Sequence, residues 1–262
     1  MVQVYAIVNQ KGGVGKTTTT LNLGAYLAAA GKRILIVDLD PQANATSGLG
    51  INHQELEHGL YSVLIGEKNL SDVRFQTPHE GLHVVPTSQN LAGASIELVG
   101  QEHREFKLSQ ALLTVAHEYD YVLIDCPPSL GLLTLNGLVA ADHVVIPIQA
   151  EYYALEGLGQ LLRTIELVQE NLKPELNVFG AVITMFDSRT KLSKDVLTEL
   201  YKHFPNKIFR SVIPRSVRLA EAPSFGQTIL GYDPGGKAAR AYERLAHEFL
   251  LRDEQNAHES TV

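Results

Sequence analysis

Gln10-Lys11-Gly12-Gly13-Val14-Gly15-Lys16-Thr17-Thr18 decides the fold through what flanks it. Residues 4–8 form a short apolar run rich in β-branched side chains and read as a strand. Residues 17–30 read as a helix ended by Gly31. A glycine turn between strand and helix is where a phosphate loop must sit. Its backbone N–H groups point inward at anionic oxygens, and the helix N-terminus adds its positive dipole end. Glycine is required because the chain approaches the phosphates closely and visits positive φ. In this pattern residues 11–18 line a nucleotide: Lys16 reaches the β- and γ-phosphates of ATP, and the Thr17 hydroxyl ligates Mg²⁺.

Further along the chain, strand-like runs at residues 33–37, 82–85, 121–124, 143–147, 178–184 and 208–212 alternate with helical patterns. Over 153–170, Leu155, Leu158, Leu162, Ile165 and Val168 keep helical spacing, and over 236–250 so do Tyr242, Leu245, Ala246 and Phe249. Strands separated by helices make βαβ units, and strands apolar throughout are buried on both faces. The expected fold is α/β: a doubly wound, mostly parallel sheet with helices on both faces. Residues 1–251 are expected to form one domain, and 252–262 a polar, flexible tail.

Two acidic sites complete the constellation. Val37-Asp38-Leu39-Asp40-Pro41-Gln42 follows the second strand, and Tyr121-Val122-Leu123-Ile124-Asp125-Cys126-Pro127-Pro128 is an apolar strand ending in aspartate, a Walker B pattern. Asp125 would hold Mg²⁺ through a water. Cys126 stands where many related ATPases carry a glutamate base, and a buried thiol is a poor base. The water-activating role therefore passes to Asp40, with Asp38 as nearby support for base and metal.

Composition bounds the rest. The chain has 262 residues, 45% hydrophobic and 19% charged, enough apolar content for a substantial core. A net charge of −7 argues against coating nucleic acid through bulk positive charge. The single cysteine, Cys126, excludes an internal disulfide framework or a cysteine-rich metal site within one chain and suits a reducing cytoplasm. Apolar runs are far shorter than a membrane helix needs, so no membrane association is expected.

Lys11 is the informative departure from an ordinary phosphate loop. A second lysine here resembles the deviant Walker A motif. Together, residues 11–18, Asp38–Gln42 with Asn44-Ala45-Thr46-Ser47-Gly48, residues 124–128 and Val212-Ile213-Pro214-Arg215-Ser216-Val217-Arg218 resemble the ParA/Soj family of partition ATPases, over about residues 3–250. That resemblance implies an ATP-bound homodimer in which Lys11 reaches the partner's nucleotide, as an arginine finger does. It implies binding to double-stranded DNA without sequence preference, a ParB-type centromere-binding partner that stimulates hydrolysis, and a cytoplasmic, nucleoid-associated protein. The family's adenine-side loop falls on Pro214 and Ser216, and the few residues before the first strand match the short chromosomal type.

The charge pattern adds an independent reading. Residues 186–218 carry eight basic residues against three acidic ones, a local +5, so the remainder carries −12. That concentration suits phosphate-backbone contacts. Arg189, Lys191, Lys194, Arg215 and Arg218 are the DNA candidates. The alternative is a MinD-type membrane-positioning ATPase, which needs a basic amphipathic C-terminal helix; residues 252–259 are acidic on balance. Iron–sulfur relatives need further cysteines, and small-molecule ligases of this fold are separated by the basic segment and by whether ATP alone drives dimerisation.

Overall fold

The computed structural model describes residues 2–151 and 154–259, with the side chains of 154–156, 192–195, 199, 203 and 257–259 outside that description. The apolar runs become β1 (Gln3–Ile7), β2 (Ile34–Asp38), β3 (Phe75–Gln76), β4 (Leu82–Val85), β5 (Tyr121–Asp125), β6 (His143–Gln149) and β7 (Asn177–Thr184). They form one seven-stranded sheet in the order β3-β4-β2-β5-β1-β6-β7. Neighbours run parallel except the short edge strand β3, which is antiparallel to β4. The expected doubly wound α/β sheet is the observed one.

Two apolar layers cover the sheet. On one face α1 (Lys16–Ala29) contributes Leu21, Leu23 and Leu27, and the C-terminal helix Lys237–Glu259 contributes Tyr242, Leu245 and Phe249. On the other, Leu133 and Leu138 of helix Leu132–Ala140 join Leu158, Leu161, Ile165 and Val168 of helix Ala154–Asn171. The chain leaves β1 toward β2 but leaves β5 toward β6, so the crossovers diverge between these adjacent strands. That divergence opens a crevice at the carboxyl ends of β1 and β5, the place where open α/β sheets bind ligands.

Two expectations are corrected. Residues 208–212 form no strand; they lie beside β7 with a single bridge, Ala181 to Ile208. Phe209 N donates to Ala181 O at 2.9 Å and Ile213 N to Ile183 O at 2.8 Å, yet between them Arg210 N and Ser211 N donate to the Glu248 carboxylate at 2.7 and 2.8 Å. A side chain of the C-terminal helix thus takes the Ser211 amide, the next in line for the ladder, together with its neighbour.

The expected tail is the second. Helix Lys237–Glu259 runs through residues 252–259 and is anchored at Arg252 and Asp253; residues 260–262 of the expected tail lie outside the described residues. The Arg252 guanidinium lies 4.2 Å from the Phe209 ring centroid and donates to Phe179 O at 3.1 Å and Ile208 O at 3.2 Å. Gly180 makes room: a Cβ there would lie 2.5 Å from Arg252 Nη1. Asp253 accepts from the hydroxyls of Tyr5 and Tyr121 at 2.5 and 2.8 Å. Arg252→Ala removes a desolvated cation–π contact and strands two carbonyls. It is expected to cost about 2–4 kcal/mol in urea unfolding, where a loose tail would cost nothing.

Candidate nucleotide site and basic surface

The phosphate loop is built from backbone freedom and a few side-chain ties. Gly13 and Gly15 hold φ of 73° and 87°, the left-handed region, and Gly15 is the residue from which α1 starts. Thr184 Oγ1 at the end of β7 donates to Val14 O at 2.7 Å. Asn9 donates to Pro147 O at 2.8 Å and accepts from Lys11 N at 2.9 Å. The loop is thereby pinned to β6 and β7 before any ligand arrives. A cleft of about 610 Å³ opens over it, lined at this end by Gly12, Gly13, Gly15, Lys16, Thr17, Thr18 and Asp40. The Val14 side chain points into the protein, 1% exposed, so its part in the loop is its backbone.

Lys16 is buried, with its Nζ donating to Lys11 O at 3.3 Å. Burial lowers its proton affinity, and Asp125 and Asp40 oppose that by attraction. Asp125, at the end of β5, accepts from Thr17 Oγ1 at 2.7 Å and Thr20 Oγ1 at 3.0 Å. Asp38, its cross-strand neighbour at the end of β2, accepts from Thr46 N and Thr46 Oγ1 at 2.8 and 2.6 Å and from Asp40 N at 3.3 Å. Both carboxyls are pushed up from the ordinary range, chiefly by burial; for Asp125 the adjacent Asp38 adds to it.

Asp40 stands apart from this pair. It lines the cleft, and its Oδ1 accepts from Gln42 N at 3.0 Å. Asp38 does not line it; its oxygens face the loop that follows β2. The Cys126 thiol is fully buried and held neutral by burial.

Lys11 points elsewhere. Its ammonium pairs with Glu151 Oε2 at 3.1 Å, with both side chains about two-fifths exposed (40% and 44%), and it is absent from the cleft lining. Pro214 lies beside Phe186, just beyond β7, next to Met185, which does line the cleft. Pro214 and Ser216 themselves do not; the wall on that side is Met185 with Leu219, Ala220, Ala222 and Pro223.

The basic candidates do not all behave alike. Arg189 is 87% exposed and pairs with Asp187, and Arg215, also exposed, acts with it to draw the Asp187 carboxyl down to about 2. Lys191 is exposed, and the Lys194 side chain lies outside the described residues. Arg218 is 60% exposed, pairs with Glu221 at 3.1 Å and lies 5.8 Å from the Tyr232 ring centroid. Lys207 belongs to the scaffold: its Nζ donates to Asn177 Oδ1 and Val178 O.

Sequence reasoning missed four residues. Thr20 sits one turn from Lys16 on α1, a spacing that could have flagged it. Thr46 lies inside the Asn44–Gly48 stretch, where the pattern alone gives it no role. Glu151 and Thr184 had no local signal, since only the sheet order brings β6 and β7 against the loop.

This site defines a P-loop nucleotide-binding protein with a second, outward-facing lysine. A family profile described as an AAA domain matches residues 2–178. The chain is 54% identical over 248 residues to the sporulation initiation inhibitor protein Soj of Bacillus subtilis, covering 95% of this chain and 98% of that one. It is 50% identical to the chromosome partitioning protein ParA of Myxococcus xanthus, covering 96% and 89%. The crystal structure of a cobyrinic acid a,c-diamide synthase from Mycobacterium smegmatis, with a bound ATP analogue and magnesium, superposes with a TM-score of 0.87 at 39% identity, covering 98% and 97%. The chain belongs to the Soj/ParA family of chromosome-partitioning proteins.

The two buried acids tie stability to pH. Their folded-state proton affinity is raised, so their contribution to stability is complete below the unfolded carboxylate range, about pH 4, and is lost as pH rises through the higher folded range toward neutrality. Without nucleotide or metal, Asp125→Asn is expected to melt above the parent at pH 7.5, with the gap closing as pH falls to 5. Differential scanning calorimetry at both pH values checks this.

Proposed function

We propose that the chain is an ATP hydrolase that binds ATP with Mg²⁺, dimerises across the nucleotide, and in that state binds double-stranded DNA without sequence preference. A ParB-type partner stimulates hydrolysis and so releases the DNA. The observation that carries this reading is the divergence of the two loop lysines: Lys16 is buried within its own loop, while Lys11 lies outside the cleft on a half-exposed ion pair. A lysine placed so serves a neighbouring molecule better than its own nucleotide. The likeness to Soj and ParA supports the partitioning role.

The residues divide the work. Backbone N–H groups of residues 12–18 and the start of α1 cradle the phosphates, and Lys16 balances their charge. The oxygens of Thr17 and Asp125, close together at the loop, suit a hard divalent cation, and Mg²⁺ there would neutralise charge on the β- and γ-phosphates. Asp40 on the cleft wall orients the attacking water. Turnover is slow without a partner, because the neutral Cys126 thiol follows Asp125 where a stronger base could stand. Pro214 and Ser216 would serve the adenine side through their loop, since neither lines the cleft.

Dimerisation doubles the basic surface of Arg189, Lys191, Lys194, Arg215 and Arg218. Phosphate contacts and the salt slope double with it, which makes nucleoid binding depend on ATP. A membrane-positioning role is less well supported: residues 252–259 of the C-terminal helix are acidic on balance, and Arg252 and Asp253 are tied to the sheet.

Gel filtration and DNA retention with ATP, with ADP and without nucleotide test the scheme. The dimer and DNA retention are expected with ATP only, and Lys11→Ala is expected to stay monomeric while still binding nucleotide. A dimer indifferent to nucleotide would overturn the reading. Arg218→Glu and, separately, Arg189→Glu are expected to keep ATP binding and to lower the salt slope of DNA binding by about 2 per dimer, one per protomer. Unchanged retention at low and high salt would remove these residues from the DNA surface.

A further inference from the structure

The segment that carries Asp40 is held by a residue with no assigned role. Between β2 and α2 (Asn44–Gly48) the backbone passes through Ala43 at φ 54°, a left-handed conformation that a side chain adopts only when its surroundings impose it. Thr46 imposes it. Its N–H and hydroxyl both donate to Asp38 Oδ2, at 2.8 and 2.6 Å, and its hydroxyl oxygen accepts from Thr87 N at 2.9 Å. Asp38 Oδ1 in turn accepts from Asp40 N at 3.3 Å, and Ala43 N donates to Asp40 O at 2.9 Å. Asp38, Thr46 and Thr87 are all completely buried, whereas Asp40 reaches the cleft. One hydroxyl therefore joins the loops that follow β2 and β4, through the carboxylate whose other oxygen holds the Asp40 amide.

We propose that Thr46 is a positioning residue for hydrolysis: by clamping Asp38 to the Thr87 amide, it keeps Asp40 at its place on the cleft wall. Asp38 is then part of this clamp rather than a metal ligand. The proposal rests on the reading of Asp40 as the residue that orients water. Neither Thr46 nor Asp38 lines the cleft, so neither touches the nucleotide directly, and the clamp is expected to be read in turnover rather than in affinity.

The test compares Thr46→Val, Thr46→Ser and Asp40→Ala with the parent, alone and in the Thr46→Val/Asp40→Ala double variant. Valine keeps the volume and loses the hydroxyl, while serine keeps the hydroxyl. Single-turnover phosphate release from ATP with Mg²⁺ is expected to fall about tenfold or more in Thr46→Val. A fluorescent ATP analogue should bind within twofold of the parent, and Thr46→Ser should recover most of the rate. In the Asp40→Ala background, Thr46→Val should cost no further rate, since both changes remove one function.

A Thr46→Val enzyme with parental turnover, or one losing rate only in proportion to nucleotide affinity, would overturn the proposal. So would an undiminished valine effect on top of Asp40→Ala. Normal turnover in Asp40→Ala alone instead sinks the underlying assignment of Asp40, and is read separately. If the valine variant does not fold, Thr46→Cys replaces it: a weak donor is expected to give an intermediate rate, and a parental rate counts against the clamp.

Discussion

Two aspartates stand side by side at the ends of adjacent parallel strands, Asp38 on β2 and Asp125 on β5, sealed from water at the crevice where the crossovers diverge. Like charges in that position repel, and burial penalises each. What makes the arrangement tolerable is a set of hydroxyl and amide donors aimed at them: Thr17 and Thr20 from α1 onto Asp125, and Thr46 onto Asp38. The phosphate loop, the first turn of α1 and the loop after β2 are thus organised around the same buried acid pair. Lys16 belongs to this balance, since Asp125 and Asp40 both favour its charged form against burial.

The opposite end of the sheet supports that site at a distance. Tyr5, Phe179, Phe209 and Phe249 pack in a cluster capped by Arg252 and Asp253. The same C-terminal helix places the Tyr242 hydroxyl 3.3 Å from Thr19 Oγ1, one turn along α1 from the phosphate loop. A helix that locks the base of the sheet therefore also braces the helix that begins at the nucleotide. Rigid support of this kind is what allows a site to hold its geometry before ligand arrives.

Charge is separated in the same molecule. A chain at −7 gathers Arg189 and Arg215 around Asp187 beyond β7, near the cleft wall at Met185. The basic surface and the cleft share the end of one strand. In the proposed scheme, that adjacency would let nucleotide state bear on the basic surface, and joining two protomers would multiply its effect on a polyanion.

Local pattern sufficed for the strand–loop–helix of residues 3–29 and for the parallel α/β sheet, because spacing, glycine conformation and strand ends are properties of short windows; it also singles out Lys16, Thr17, Asp40 and Asp125, which the fold gathers at the phosphate loop. It sufficed for Lys11 as an unusual residue, but not for Glu151 as its companion. It misjudged residues 208–212, whose β-like composition is overruled by Glu248 taking their amides, and residues 252–259, whose polar composition hides an arginine stacked on Phe209. It named Asp38 as a metal candidate, where the fold turns its oxygens toward Thr46 and Asp40 N. The outcomes at Glu151, at residues 208–212 and at Arg252 depend on which distant segments the sheet order brings within hydrogen-bond reach. That proximity is a property of tertiary packing, invisible in any window of sequence.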